Sequence, residues 1–107
     1  MSLASTPKPP YYAVIFSSIR ENDDEEYGIM AKKMDALAKI QPGFLGFETV
    51  RGKVGLSISY WEDIESIQNW KSNVDHQEAQ QKGKTDWYSR FKVRIAKVER
   101  EYSFDKS

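Results

Sequence analysis

The clearest hydrophobic pattern near the start of the chain is a nearly continuous β-prone run over Tyr11–Arg20 (YYAVIFSSIR). Its apolar residues do not alternate with polar ones, which is typical of a central strand covered on both faces. The segment before it holds three of the four prolines and shows no periodicity. We therefore predict an extended or disordered arm over residues 1–10 and one domain over residues 11–107.

A helix is predicted next, from a stripe of apolar residues between two boundary signals. Asn22, Asp23 and Asp24 offer N-cap oxygens, and Pro42-Gly43 ends the pattern. Between them, apolar side chains recur at i, i+3, i+4, i+7, i+10 and i+11, which is the spacing of one helix face. These residues are Tyr27, Met30, Ala31, Met34, Leu37 and Ala38.

Two β-like runs then predict a hairpin. They cover Phe44–Arg51 and Val54–Trp61 and are joined through Gly52. The second run alternates, and one of its faces is built mainly from small residues: Gly55, Ser57, Ser59 and Trp61. Small side chains on one face leave room for the close approach of a ligand or of a packed helix.

A second helix and a last strand complete the pattern. Asp63 is placed to cap a helix with apolar residues roughly along one side, namely Ile64, Ile67, Trp70 and Val74. The last strand is predicted over Lys92–Phe104. The order β, α, β, β, α, β favours an α+β, ferredoxin-like fold with an antiparallel sheet. Its first and third strands are central, and both helices lie on one face.

The sheet face left without helices is predicted to be apolar. The first strand presents apolar residues on both sides, Val14 and Phe16 against Ala13 and Ile15. An exposed apolar surface of this size indicates a partner. The simplest partner is a second copy of the chain, so we predict a homodimer in which two sheets pack face to face.

Composition excludes several functional classes. Lys+Arg and Asp+Glu both number 16, whereas a nucleic-acid binder normally carries a clustered basic excess. The absence of cysteine excludes disulfides, thiolate metal sites and a cysteine nucleophile. No apolar run reaches the roughly 18 residues that span a membrane. We expect a cytoplasmic protein with neither nucleic-acid nor membrane partners, whose 13% aromatic content serves a pocket or an interface.

Several short motifs occur together along the chain. In chain order they are Pro42-Gly43-Phe44, Tyr60-Trp61 leading into Asp63, the stretch from Trp70 to His76, Trp87-Tyr88, and the strand from Val93 to Glu99. Together they resemble the antibiotic biosynthesis monooxygenase family, which belongs to the dimeric α/β-barrel superfamily. The resemblance covers residues 11–104 and extends to small bacterial members of the family. It implies a dimeric α/β barrel.

The resemblance implies two chemistries. One is cofactor-independent oxygenation of polycyclic phenols, in which the substrate itself supplies electrons to dioxygen. The other is haem degradation, in which a helix histidine ligates iron while a first-strand asparagine and a helix tryptophan shape the distal pocket. Trp70 matches that tryptophan, but the histidine position falls near Gln80 and the first strand carries Ser17 and Ser18. We expect no cofactor, with haem degradation as the alternative.

The candidate catalytic residue is His76, the only histidine. Histidine titrates near neutrality, so His76 is predicted to transfer protons or to act as an axial ligand at the pocket mouth. The competing interpretation is a polar residue in the first turn of a broken helix. One histidine with no metal-binding spacing around it predicts no zinc or non-haem iron site.

The candidate substrate-pocket residues are large apolar side chains, each of which could instead belong to the core: Trp61, Trp70, Phe16, Tyr12, Phe47 and Met34. We predict a monooxygenase acting on a small, flat aromatic or apolar molecule between sheet and helices. A further alternative is a non-catalytic ligand-binding or structural dimer, which a filled interior would favour.

Overall fold

The computed structural model describes residues 3–21, 25–75 and 87–106. The strands form one antiparallel sheet in the order β2-β3-β1-β4, so the first and third strands are central, as predicted. This confirms the ferredoxin-like α+β fold. The elements are β1 (Tyr11–Arg20), α1 (Glu25–Lys39), β2 (Phe44–Val50), β3 (Val54–Trp61), α2 (Ile64–Asp75) and β4 (Tyr88–Val98).

Strand β1 organises the sheet because it pairs along almost its whole length with β3 on one side and β4 on the other. Side chains alternate between the faces of a strand. Val14, Phe16 and Ser18 therefore share the face that α1 covers, where their β3 partners are Ser59, Ser57 and Gly55. The helix-free face carries the intervening residues of β1 and β3.

Helix α1 carries charges at its two ends that suit the helix dipole, and a side-chain hydrogen bond marks its C-terminal end. Glu25 and Glu26 lie in its first turn and Lys39 in its last, where each sign suits the helix dipole. The Gln41 side chain donates to the Leu37 carbonyl (3.1 Å), which satisfies one of the free carbonyls at the helix end. The predicted N-cap at positions 22–24 lies outside the described residues. Neither described helix has the length and apolar composition that crossing a bilayer requires.

Helix α2 begins as predicted. The Asp63 carboxylate accepts a hydrogen bond from the Ser66 backbone N–H (2.8 Å), which is N-cap geometry. Hydrogen bonds from the Ser66 side chain and backbone lower the pKa of Asp63. Ile67, on the predicted apolar side, is buried. The predicted helix break beyond Asp75 lies outside the described residues.

The predicted last strand, Lys92–Phe104, is wrong at both ends, because β4 spans Tyr88–Val98. Its limits follow those of β1: Tyr88 lies opposite Arg20, and Val98 lies opposite Tyr11, where β1 starts. Beyond Val98 there is no strand residue left to pair with, so the β-prone residues Tyr102 and Phe104 remain 97% and 84% exposed.

The N-terminal arm contains no helix or strand over residues 3–10 and is tied to the helix-free face of the sheet. The Ala4 N–H donates to Glu48 (2.9 Å), whose other carboxylate oxygen accepts from the Tyr60 hydroxyl (2.7 Å). Thr6 and Tyr11 both donate to Glu101, at 2.9 and 2.5 Å. Burial and the bond to Glu48 raise the pKa of Tyr60 to about 12, so this hydroxyl keeps its proton at physiological pH.

Gly43, between α1 and β2, is predicted to tolerate no side chain. Its φ is +84°, and a Cβ there would overlap the Ser66 side chain. We expect Gly43→Ala to lower the free energy of unfolding by about 1–3 kcal/mol in urea denaturation. The control is Gly28→Ala inside α1, where a Cβ meets nothing within 4 Å and should raise stability by about 0.5–1 kcal/mol. A Gly43→Ala protein as stable as the parent would contradict this account.

Candidate functional site

A cavity of about 530 Å³ lies between α1 and the helix-facing side of the sheet. The small β3 residues Gly55, Ser57 and Ser59 line its sheet side, and Met30 and Met34 line it from α1. Protein interiors are normally close-packed, so a hollow of this size is a candidate ligand site.

One end of the cavity is closed by a cluster of aromatic rings. Trp61 is fully buried, and its ring stacks on Trp70 at 5.9 Å between centroids and meets the edge of Phe44 at 5.4 Å. Its indole N–H donates to the Ser59 hydroxyl (2.8 Å). Trp70 and Phe44 line the cavity, whereas Trp61 does not line it and packs against both of these rings.

The other end holds a second aromatic cluster. Phe16 stacks on Phe91 at 5.4 Å, and the ring of Tyr88 stands edge-on to Phe16 at 5.5 Å. The Tyr88 hydroxyl donates to the Tyr27 hydroxyl (3.3 Å), which brings α1 against the start of β4. Burial, followed by this hydrogen bond, raises the pKa of Tyr88, so it stays neutral and can act as a hydrogen-bond donor.

Charged groups also face the cavity. Arg20 and Arg51 both lie against the Tyr27 ring, with guanidinium carbons 4.5 and 5.8 Å from its centroid. Asp35 lines the cavity from α1, and burial raises the pKa of its carboxyl against the opposing effect of Arg51 and Lys39.

Sequence reasoning missed these polar residues. The available signal for Asp35 was its position four residues after Ala31, at the edge of the apolar stripe of α1. The two arginines lie at the ends of different elements, and only the assembled sheet brings them together.

A family model described as antibiotic biosynthesis monooxygenase matches residues 10–82 of the chain. The chain belongs to the antibiotic biosynthesis monooxygenase family. The resemblance inferred from its short motifs is thereby confirmed.

The chain is also similar to one curated protein and to several solved structures. The uncharacterized protein YqjZ of Bacillus subtilis (strain 168) is 46% identical over 108 residues, covering 98% of this chain and 94% of that protein. A mutant form of SnoaB, a cofactor-independent oxygenase from Streptomyces nogalater, superposes with a TM-score of 0.73 at 12% identity, covering 85% of this chain and 95% of SnoaB. Protein SO0527 from Shewanella oneidensis gives 0.64 at 12% identity, covering 83% and 91%. At such identities the structural likeness shows the fold.

The structure separates the candidate residues of this family member into three groups. Tyr12 and Trp61 are not among the cavity-lining residues, although Trp61 contacts one of them. His76 lies outside the described residues, so its role in proton transfer stays a prediction. Four of the six candidate pocket residues line the cavity: Phe16, Met34, Phe47 and Trp70.

The described lining residues do not fit a haem or metal centre. They include no histidine and no cysteine, so they offer neither imidazole nor thiolate to iron. Across the described part of the chain, no group of three or more His, Cys, Asp or Glu residues could hold a metal ion. The expected haem alternative therefore gains no support from these residues.

The pKa of Asp35 is raised and that of Asp63 is lowered, so the two residues predict opposite effects of pH on the stability of the fold. The raised pKa of Asp35 means that ionising it costs the folded state stability, increasingly as pH rises above its ordinary value of 3.8. Asp35→Asn should therefore become more stable relative to the parent between pH 4 and pH 7 in urea denaturation. The lowered pKa of Asp63 means that its ionised form stabilises the fold above the ordinary value of 3.8, and that this stabilisation is lost as pH falls through the lowered pKa. The advantage of the parent over Asp63→Asn should therefore be complete above about pH 5 and should diminish as pH falls toward about 2. Equal pH trends for both variants would refute the assignment.

Proposed function

We propose that this chain is a monooxygenase that oxygenates a small, flat, apolar molecule in the cavity beneath α1. The observation that carries the proposal is the hollow itself, with the small residues Ser57 and Ser59 on its sheet side and the rings of Phe16, Phe47 and Trp70 around it. Flat aromatic walls suit a planar ligand. Family membership and the fold of SnoaB support the reaction class.

The proposed reaction uses dioxygen and the substrate alone. An activated methylene of a polycyclic phenol loses two C–H bonds and becomes a carbonyl. One oxygen atom enters the substrate, and the other leaves as water with the two hydrogens. All the electrons that reduce dioxygen come from the substrate, so the balance needs no cofactor. The description of SnoaB as cofactor-independent supports this version of the chemistry.

The protein's contribution is to orient the substrate, to exclude water and to accept a proton. His76 is the proton acceptor proposed from the sequence. Asp35 is a second candidate, because it lines the cavity and its raised pKa makes its carboxylate a stronger base than an exposed one. The Tyr88 hydroxyl is held neutral and already donates its one proton to Tyr27, so toward a substrate it can accept a hydrogen bond from a phenolic hydroxyl.

Oxygen uptake with 1,8-dihydroxy-9-anthrone, a flat polycyclic phenol with a reactive methylene, tests this function. We expect catalysed uptake without added cofactor, equimolar with the carbonyl product. Ser57→Phe should lower the rate about tenfold or more, because the new ring would fill the cavity from the sheet side. Its control is Ile58→Phe, one residue along β3 on the opposite face, which should retain the rate. Equal rates for both variants would show that the reaction does not use this cavity.

We also propose that the chain forms a homodimer through the helix-free face of the sheet. The arm is tied to this face near Tyr11 and Tyr60, while at the hairpin end Val54 remains 64% exposed. Apolar side chains left exposed on a sheet favour packing against a second copy.

Sedimentation equilibrium tests the dimer. We expect twice the chain mass of 12.4 kDa, and we expect Val54→Glu to weaken association by about tenfold or more, because a charge would be buried at the interface. Ile29→Glu is a matched control, since Ile29 is also 64% exposed but lies on α1. A monomeric parent protein would contradict the proposal, as would equal effects of the two substitutions.

A further inference from the structure

Asp35 is a half-buried carboxylate whose hydrogen-bonding capacity the fold leaves unused. Glu48 and Glu101, by contrast, accept hydrogen bonds from the arm and from the sheet. No residue in the described part of the chain donates a hydrogen bond to Asp35, on which the charges of Arg51 and Lys39 act. Burial raises the pKa of its carboxyl, so water has been partly removed without a donor taking its place.

Asp35 is accessible from the cavity because its neighbours on α1 are small. Ala31 lies one turn before it and Ala38 one turn after it, and all three residues line the hollow. Side chains three or four positions apart are adjacent on one face of a helix. The methyl groups on either side are too short to cover the carboxylate oxygens, so a ligand in the hollow can reach them.

The sheet contributes hydroxyl groups to the same cavity. Thr49 of β2 and Ser57 of β3 are cross-strand partners, and both line the hollow. Neither side chain hydrogen-bonds to another residue among those that the structure describes. A few polar groups in an otherwise apolar wall fix the orientation of a ligand. Asp35 and these two hydroxyls form such a set, with the carboxylate on the helix side and the hydroxyls on the sheet side.

The charges around Asp35 determine which kind of donor it would accept. A lone carboxylate in an apolar cavity would favour a cationic ligand. Here the attraction of Arg51 and Lys39 opposes the effect of burial on the pKa of Asp35, so two positive charges already balance the carboxylate. These groups would repel a cationic ligand, whereas they would not repel a neutral O–H or N–H donor.

We propose that Asp35 is a specificity-determining residue of the cavity, which selects ligands that carry a neutral O–H or N–H donor and holds that donor against α1. A hydrogen bond to a carboxylate is stronger than one to a neutral acceptor such as the Tyr88 hydroxyl, so Asp35 decides the preference. This inference rests on the proposed function in taking the same cavity as the ligand site. It goes further by requiring a donor group on the ligand and by naming the residue that recognises it.

Calorimetric titration with three probes that share one ring system tests the proposal in the absence of turnover: 2-naphthol, 2-methoxynaphthalene and 2-naphthylmethylammonium. 2-Naphthol offers a neutral donor, its methyl ether offers none, and the ammonium offers a charged one. Near neutral pH we expect 2-naphthol to bind about tenfold more tightly than the ether, and the cation to bind more weakly than 2-naphthol.

Variants at position 35 then assign the preference to the carboxylate. Asp35→Leu introduces an apolar side chain of similar size and should reduce the preference for 2-naphthol over the ether to less than about twofold. Asp35→Asn keeps one acceptor oxygen and should retain an intermediate preference of about threefold. Glu25→Gln is the matched control, because it removes an exposed carboxylate of the same helix that does not line the cavity, and it should leave all three affinities unchanged. Circular dichroism verifies the fold of each variant.

The outcomes separate this proposal from the one before it. Equal binding of 2-naphthol and its ether by the parent protein overturns the proposal without any variant and leaves the cavity as the ligand site. A preference that survives in Asp35→Leu overturns the assignment to Asp35, and tighter binding of the cation than of 2-naphthol overturns the selection of a neutral donor. If none of the three probes binds, the cavity itself fails as a ligand site, and the proposed function fails with it.

Discussion

The stack of Trp61 on Trp70 is the contact on which the cavity depends. Trp61 ends β3, is fully buried and bonds to Ser59 within its own strand, so its ring position is determined by the sheet. Trp70 packs on that ring from α2 and thereby keeps the helix at a defined distance from the strands. Two large rings thus act as a spacer between α2 and β3, so that the neighbouring β3 side chains can remain small without collapse of α2 onto them.

The site results from an uneven distribution of side-chain volume over one sheet face. Aromatic residues are concentrated at both ends of the cavity, and Gly55, Ser57 and Ser59 occupy the middle. An interior of this kind forgoes some close packing, which costs stability. It gains a preformed space whose walls are already ordered, so a ligand would not have to organise them on binding.

The fold could be predicted from the sequence because its elements are specified by local patterns of residues. The spacing of the α1 stripe, the alternation in β3 and the cap at Asp63 each specify an element without reference to the rest of the chain. The end of β4 could not be predicted, because it depends on where β1 begins, and the β-prone Phe104 lies beyond that point. The polar part of the site was missed for a related reason: Arg20 and Arg51 are 31 positions apart and become neighbours only through strand pairing. Asp35 borders the predicted stripe of α1, and periodicity alone does not distinguish a charged residue at the edge of a stripe that faces a cavity from one that faces solvent.

The tie between the arm and the far end of the chain has a practical consequence. Thr6 and Glu101 are joined by a hydrogen bond, so the two ends of the described chain emerge near each other, on the side of the sheet away from α1. An affinity handle attached to either end would hold the protein to a sensor surface by the side of the sheet opposite the cavity. The same closeness allows a short flexible linker to join these ends, so that new termini can be opened elsewhere in a circularly permuted chain.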